Sequence, residues 1–439
     1  MTNDAVKTTM DAPTSTNKAA LAMVTALFFM WGFITVLNDI LIPHLRSIFE
    51  LNYAEVMLVQ FSFFSAYFVF SFPSGKLVER FGYKRAMVVG LCTMGAGALG
   101  FIAAASVPSF ALFLCALIVV AAGMTVLQVA ANPYVAVLGP ASTASSRLNL
   151  AQAFNSLGTT LGPFLGSLVI LGRAPQVVQD LHALSSAQLQ QYRLQEAASV
   201  KLPYFGIGLT LLALALALGF SHLPNIAGEE SKVAAGRAPR SIWKHSRLLL
   251  AAIAIFTYVG GEVAIGSFLV NYLSQPDIAN LAQKTAAGYV SFYWGGAMIG
   301  RFIGSALLQR IKTATLLAVF ASVACALVVT SMATSGHVAA WSILAVGLFN
   351  SIMFPSIFTM GIEGMGALTG KASGLLIAAI IGGAIVPEIQ GIFADHIGIH
   401  AAFFVPAICY VYIIFFAVRC SRDVVAPGIA LPAEFVPPA

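Results

Sequence analysis

Long apolar runs alternate with short polar segments along most of the chain. A helix that crosses a bilayer needs about 20 mostly apolar residues. Measured by that length, the pattern predicts twelve spanning helices and therefore an all-α membrane protein. The predicted spans are 20–43, 56–78, 86–107, 109–135, 148–171, 203–222, 248–273, 284–308, 314–334, 338–361, 372–393 and 399–419.

The longest polar stretch between predicted spans divides them into two sets of six. We predict a cytoplasmic tail, a six-helix bundle, a cytoplasmic linker, a second bundle and a second cytoplasmic tail, at 1–19, 20–222, 223–247, 248–420 and 421–439. A second polar insertion, 172–202, falls on the outer side and is either a short surface helix or a plain loop.

The two halves resemble each other at a constant distance along the chain. A basic residue just before the fifth span, and a glycine and a proline within it, recur 224 positions later at the eleventh: Arg147, Gly158 and Pro163 correspond to Lys371, Gly382 and Pro387. Parallel repeats of this kind build transporters from two related halves. We therefore predict two pseudo-symmetric bundles.

The composition restricts the class of protein. The chain of 439 residues is 59% hydrophobic and 9% charged, whereas soluble domains are roughly 45–50% apolar and about 25% charged. These values exclude a soluble enzyme, a disordered chain and a fibrous protein. The five cysteines are scattered without a CxxC pair, so neither a disulfide framework nor a metal site is expected.

The basic residues predict the orientation, because loops on the cytoplasmic side collect Lys and Arg. With both termini in the cytoplasm, the outer side holds few of the 23 Lys and Arg residues: Arg46, Arg173, Arg193, Lys201 and Lys284. The net charge of +6 thus reflects topology, and no basic patch for nucleic acid is expected.

The loop after the second span reads GKLVERFGYKR, from 75 to 85. Gly75 allows close helix approach and Gly82 a tight turn, while Glu79 and the basic residues can pair with neighbouring helix ends. We predict a conformational latch formed by Gly75, Glu79, Arg80, Gly82, Lys84 and Arg85. This order of residues resembles the cytoplasmic signature of the major facilitator superfamily.

Ionisable residues at membrane depth are costly and usually line a pathway. Asp39, Glu262 and Arg301 lie in predicted spans. Amides follow helical spacing on one face of the fourth span and one face of the fifth: Gln128 and Asn132, then Asn149, Gln152 and Asn155. Facing amides offer donors and acceptors together, which suits a sugar, and nearby aromatic rings can stack on it: Trp31, Phe33, Tyr67, Tyr258, Tyr293 and Trp294. No paired catalytic carboxylates or nucleophile motif suggest an enzyme.

Three segments strongly resemble the fucose–galactose–glucose–proton symporter family, and its glucose/galactose branch in particular. They are FFMWGFITVLNDILIPHL, LQVAANPYVAVLGP and RLNLAQAFNSLGTTLGP, at 28–45, 127–140 and 147–163. The resemblance covers nearly the whole chain. It implies the twelve-helix major-facilitator fold working by alternating access.

The resemblance also implies roles for individual residues. An acid for sugar recognition and proton coupling matches Asp39, and sugar contacts match Gln152 and Asn155. A second acid of the fucose symporter matches Gln128, which cannot titrate. The proton mechanism therefore does not transfer directly.

We therefore predict a secondary active importer of glucose and galactose in the bacterial inner membrane, a monomer with no cofactor beyond its coupling cation. L-fucose or N-acetylglucosamine symport and a non-transporting sugar sensor remain alternatives. Asp39 and Glu262 are the expected cation-coupling residues, with a proton favoured over sodium. The expected sugar-binding residues are Asn38, Asp39, Gln128, Asn132, Gln152, Asn155, Glu262, Asn271, Arg301 and Asn350.

Overall fold

The structure, a computed structural model, describes residues 16–49, 53–107, 109–169, 201–221, 223–224 and 241–423, with isolated positions at 185, 188 and 191. Within these ranges, the structure describes the backbone but not the side chains of 36–58, 60, 163–169 and 422–423. Most of the predicted insertion 172–202, of the linker 223–247 and of both tails lies outside the described residues, so these boundaries stay predictions.

The described residues form helices joined by short turns, and they contain no strand. The helices are α1 (Lys18–Phe49), α2 (Tyr53–Ser106), α3 (Phe110–Val137), α4 (Ala144–Val169), α5 (Lys201–Phe220), α6 (Ser246–Leu273), α7 (Gln283–Leu307), α8 (Thr313–Ala333), α9 (Gly336–Asn350), α10 (Met353–Ile362), α11 (Thr369–Ala378), α12 (Gly382–Ile397), α13 (Ile399–Ala402) and α14 (Phe404–Asp423).

These helices make the twelve predicted spans. Gly82 breaks α2 into two spans, because its backbone turns at φ 79° and ψ 168°, a conformation that favours glycine. Three further spans are each built from two helices in sequence, namely α9 with α10, α11 with α12 and α13 with α14. The predicted tight turn at Gly82 is confirmed.

Polarity distinguishes two of the spans from the others. Nine segments of the described chain are long and apolar enough to cross a membrane, and the 46-residue segment among them holds both arms of α2. The helices that fall short are α4 and α7, which carry Asn149, Gln152, Asn155 and Arg301. The hydropathy of these two helices is lowered by residues of the candidate site described below.

The two halves of the chain meet along two related seams. One seam brings α2 against α11, and the other brings α4 against α7. By the predicted numbering these are spans two with eleven and five with eight. The repeat relates span two to span eight and span five to span eleven. It therefore exchanges the two seams, as two pseudo-symmetric bundles require. We call the end of the bundle where α2 turns at Gly82 the latch side.

Arg147 joins α3 to α4 on the latch side. Its buried guanidinium donates to the carbonyl oxygens of Val135, Ala136, Gly139 and Pro140, at distances from 2.5 to 3.2 Å. The last carbonyls of a helix have no partner within it. Arg147 therefore satisfies the end of α3 and holds the hairpin in place.

We expect Arg147→Met to lower the free energy of unfolding by about 3 kcal/mol, because buried carbonyl oxygens lose a charged donor. Arg147→Lys should rescue only part of this loss, since an ammonium lacks the fork of a guanidinium. Thermal unfolding in detergent, followed by intrinsic fluorescence, measures the effect. Lys76→Met, at an exposed position, is the control, and an unchanged midpoint in Arg147→Met would contradict the assignment.

Candidate functional site

A cavity of about 170 Å³ lies between the two halves. The first half contributes Trp31, Phe63, Tyr67, Gln128 and Gln152, and the second contributes Tyr258, Val259, Glu262, Arg301, Phe354 and Ile380. Each half thus supplies both polar groups and rings. A few converging polar groups among apolar walls are typical of a small-molecule site.

The polar groups of the first wall come from α2, α3 and α4. The Gln128 amide donates to the Tyr67 hydroxyl at 2.7 Å, which holds both side chains in place and leaves the Gln128 carbonyl oxygen as an acceptor. Gln152 lines the cavity without a hydrogen bond from its side chain to another described residue. Its amide is therefore available to a ligand.

Glu262 is the carboxylate of the second wall. It is 9% exposed, and the Tyr258 hydroxyl, one helical turn earlier, donates to its Oε1 at 2.8 Å. The Tyr293 hydroxyl donates to the backbone oxygen of Glu262 at 3.1 Å. These two tyrosines fix the position of the carboxylate from within its own half.

Arg301, on the second wall, makes hydrogen bonds to both halves. Its guanidinium donates to the Ser156 hydroxyl of the first half and, at 3.4 Å, to the Ser351 carbonyl oxygen of the second. No ion pair with Glu262 occurs in the described part of the chain. Arg301 therefore faces the cavity as a cation held by neutral acceptors.

Four of the predicted sugar-binding residues meet at the cavity, namely Gln128, Gln152, Glu262 and Arg301. The helix that contains Asn38 and Asp39, α1, is described, but these two side chains lie outside the described residues. Asn155 is close by on α4, where its amide donates to the Phe28 carbonyl oxygen at 2.9 Å. It holds α4 against α1 and does not line the cavity.

Two expected contributors from the second half lie elsewhere, and their assignment to the cavity wall is corrected. Asn271 is exposed, because it follows Glu262 by nine positions, which turns it about 180° around the helix. Asn350 is fully buried between two tyrosines, donating to Tyr293 at 2.7 Å and accepting from Tyr410 at 2.7 Å. It joins helices of its own half.

Asn132 also lies off the cavity. It is one turn beyond Gln128 toward the latch side, and its side chain is fully buried. Of the aromatic candidates, Trp31, Tyr67 and Tyr258 line the cavity, whereas Phe33, Tyr293 and Trp294 do not.

The sequence reasoning missed four apolar lining residues, Phe63, Val259, Phe354 and Ile380. Apolar side chains of a span look alike in sequence whether they face lipid or a cavity.

The predicted latch residues bring the halves together on the latch side. Lys371 Nζ lies 3.0 Å from Glu79 Oε2, and a Cβ at Gly75 would lie 2.9 Å from the Gly370 carbonyl oxygen. Only glycine permits so close a crossing of α2 and α11.

The other basic residues of this loop stay within their half. Lys84 donates to the Ser221 carbonyl oxygen at 2.6 Å, at the end of α5. Arg80 lies over the ring of Phe81, and Arg85 is exposed. Within the described part of the chain, Glu79 is therefore the only one of the six that makes a charge contact between the halves.

Similarity to known proteins agrees with this architecture. Residues 20–387 match the Major Facilitator Superfamily. The chain is 51% identical over 404 residues to a glucose/galactose transporter of Brucella abortus, covering 92% of this chain and 94% of the relative. It is 35% identical over 402 residues to the L-fucose-proton symporter of Escherichia coli, covering 90% and 92%.

A solved structure agrees with the fold. The crystal structure of FucP, a Major Facilitator Superfamily transporter in the outward conformation, aligns with a TM-score of 0.83 at 34% identity, covering 91% of this chain and 98% of that chain. The chain therefore belongs to the major facilitator superfamily, within the fucose–galactose–glucose–proton symporter branch. It is an integral membrane transporter, and the prediction that it is not an enzyme is confirmed by these relatives.

We expect Glu79→Gln to loosen the latch side, because the Lys371 ammonium loses its partner. Amide hydrogen exchange of 71–79 and 370–376 should rise about two- to fivefold, since a partly exposed ion pair contributes up to roughly 1 kcal/mol. Combining Glu79→Lys with Lys371→Glu should restore slow exchange, and Arg85→Gln is the matched control. Equal exchange in the single variant and the unaltered protein would remove the ion pair from the latch.

Proposed function

We propose that this protein imports glucose and galactose across the bacterial inner membrane by alternating access, driven by a cation gradient. The observation that carries this proposal is the cavity between the two halves, with hydrogen-bonding groups on both walls. The relative from Brucella abortus at 51% identity, which is named a glucose/galactose transporter, supports the choice of substrate.

The cavity suits a hexose for a chemical reason. Sugar hydroxyls donate and accept hydrogen bonds, and the walls offer amides at Gln128 and Gln152, a carboxylate at Glu262 and a guanidinium at Arg301. Trp31 presents an indole to the apolar face of a sugar ring. A lipophilic drug would leave these polar groups without partners, at a cost in affinity.

The contacts between the halves support an outward-facing state. Apart from a contact between Thr160 and the sulfur of Met298, the described hydrogen bonds between halves lie at the depth of the cavity or on the latch side. Among them are Ser145 with Thr359 at 2.6 Å and Ser373 with the Val129 carbonyl at 2.8 Å. Because the bias of Lys and Arg makes the latch side cytoplasmic, the cytoplasmic exit is closed.

Uptake of labelled glucose into proteoliposomes tests this function. We expect uptake that unlabelled galactose inhibits strongly, and that L-fucose and N-acetylglucosamine inhibit weakly. Strong inhibition by either of the latter alone would favour the rival substrate. Sugar binding without any uptake would instead indicate a sensor.

We expect Gln152→Leu to raise the KM for glucose about tenfold or more, because a hydroxyl of the sugar loses its partner. Asn271→Leu is the matched control, since this amide is exposed on the far face of α6. Equal KM values for both variants would remove Gln152 from the binding site.

The coupling cation is proposed to bind at Asp39, with Glu262 as a second acid. Gln128 is neutral where the fucose symporter has an acid, so Asp39 is the remaining titratable group among the proposed first-half residues. A proton is favoured, and sodium is the alternative. The protein is proposed to work as a monomer, because the cavity is formed within one chain.

We expect Asp39→Asn to abolish accumulation of sugar while retaining counterflow exchange, because the sugar still binds but no cation accompanies it. Collapsing the proton and sodium gradients separately identifies the cation. Accumulation at the unaltered level in Asp39→Asn would remove this residue from coupling, and uptake that ignores both gradients would exclude symport.

A further inference from the structure

Three buried polar side chains on the latch side of the cavity have polar atoms without a hydrogen-bond partner in the described part of the chain. Asn132 is 0% exposed, and neither atom of its amide has a partner among the described residues. Ser356 is also 0% exposed, and its hydroxyl is unpartnered in the same part of the structure. Asn149, likewise 0% exposed, uses its nitrogen but leaves its oxygen unpartnered.

Asn132 and Ser356 lie beside contacts that cross between the halves. Asn132 follows Val129, whose carbonyl oxygen accepts from Ser373 of α11, by three positions. Ser356 precedes Thr359, which bonds Ser145 of α4, by three positions. Residues three apart are neighbours on a helix surface. Both side chains therefore lie beside contacts between the halves, α3 with α11 and α4 with α10, that must part when the latch side opens.

The internal repeat relates these two positions. Ser356 lies 224 positions after Asn132, the same distance that relates Arg147 to Lys371. The unpartnered groups therefore occupy equivalent places on the fourth and tenth spans. A random packing defect would not be expected twice at positions related by the repeat.

Asn149 extends the set to the seam between α4 and α7. Its amide nitrogen donates to the Arg301 carbonyl oxygen at 2.7 Å, at the edge of the cavity. Its neighbour on α4, Ser146, bonds Ser305 of α7 in the same seam, with its hydroxyl 2.7 Å from the Ser305 carbonyl oxygen. Polar side chains can therefore find partners in this seam. The packing of the seam does not by itself explain why the Asn149 oxygen has none.

Buried polar groups without partners are rare in folded proteins and destabilise the state that buries them. Leucine or alanine at these positions would close the seams without that cost. Once the halves separate on the latch side, the same groups face water or a passing solute. Their chemistry is thus suited to the open state.

We propose that Asn132, Asn149 and Ser356 form a second, release-side sugar-binding site, which is hidden in the closed seams and becomes accessible when the latch side opens. A hexose leaving the cavity past Gln128 and Gln152 meets these groups one helical turn further on. The site rests on the proposed function, since it binds the transported sugar.

Transport measured from each side tests the proposal. Asn132→Leu should raise the KM for glucose about tenfold in inside-out vesicles, because the sugar entering from the latch side loses hydrogen bonds to the amide. In right-side-out vesicles the KM should not rise, because more stable closed seams can only lower it. Asn132→Ser, which keeps a polar group, should show a smaller rise.

Two other results would overturn the proposal. An unchanged KM on the latch side would show that the sugar does not contact Asn132. Opposite shifts of equal size in the two KM values, up on the latch side and down on the other, would show that the amide acts only on the balance of conformations. Absence of sugar transport by the unaltered protein would instead refute the proposed function.

Gln390→Leu is the matched control for these kinetics. Gln390 is also 0% exposed with both amide atoms unpartnered among the described residues, but it lies on α12. It follows Lys371 by 19 positions, which places it about 28 Å further along the span, beyond the cavity. Its replacement should not raise the KM on the latch side.

Thiol labelling tests the site without relying on transport rates. Ser356→Cys should react with an impermeant maleimide added on the latch side, more than the parent protein with its five free cysteines, and glucose should slow the reaction. The same reagent on the other side should not label it. Labelling equal to the parent from the latch side, or no protection by glucose, would contradict a sugar-binding site there.

Discussion

Polar groups inside the hydrocarbon of a bilayer must find partners within the protein, because lipid offers none. In this chain the constraint concentrates polar side chains at the interface between the two halves. Arg301, at membrane depth, is held by Ser156 and by the Ser351 carbonyl oxygen. The cavity and the two seams are consequences of this sorting, since the outer faces of the helices are left apolar toward lipid.

The contacts divide according to whether they cross between the halves. Gln128 is held by Tyr67, and Glu262 by Tyr258, each within its own half. These hydrogen bonds do not have to break when the halves rock against each other. Each wall of the cavity therefore keeps its side chains positioned for the ligand. Contacts across the seams, such as Ser145 with Thr359, must break when the closed side opens. Alternating access therefore requires many weak contacts between the halves. It also requires stable hydrogen bonds within each half, which hold the cavity side chains in position.

The repeat is exact in position but not in chemistry. Arg147 and Lys371 are related by the repeat, yet Arg147 satisfies the end of α3 within its half, whereas Lys371 pairs with Glu79 across the seam. The cavity shows the same divergence, with amides on one wall and a carboxylate and a guanidinium on the other. A symmetric scaffold thus carries an asymmetric binding site, which suits a substrate that lacks two-fold symmetry.

The sequence by itself determined the twelve spans, the turn at Gly82 and the cavity positions of Gln128, Gln152, Glu262 and Arg301, because bilayer thickness sets helix length and charge in lipid marks an interior. Only the tertiary structure decided that Asn271 faces outward, that Asn350 joins its own helices and that apolar residues such as Phe354 line the cavity. A sequence defines which side chains share a face of a helix. It does not define how that helix is rotated in the bundle, because the rotation depends on packing against neighbours distant in sequence.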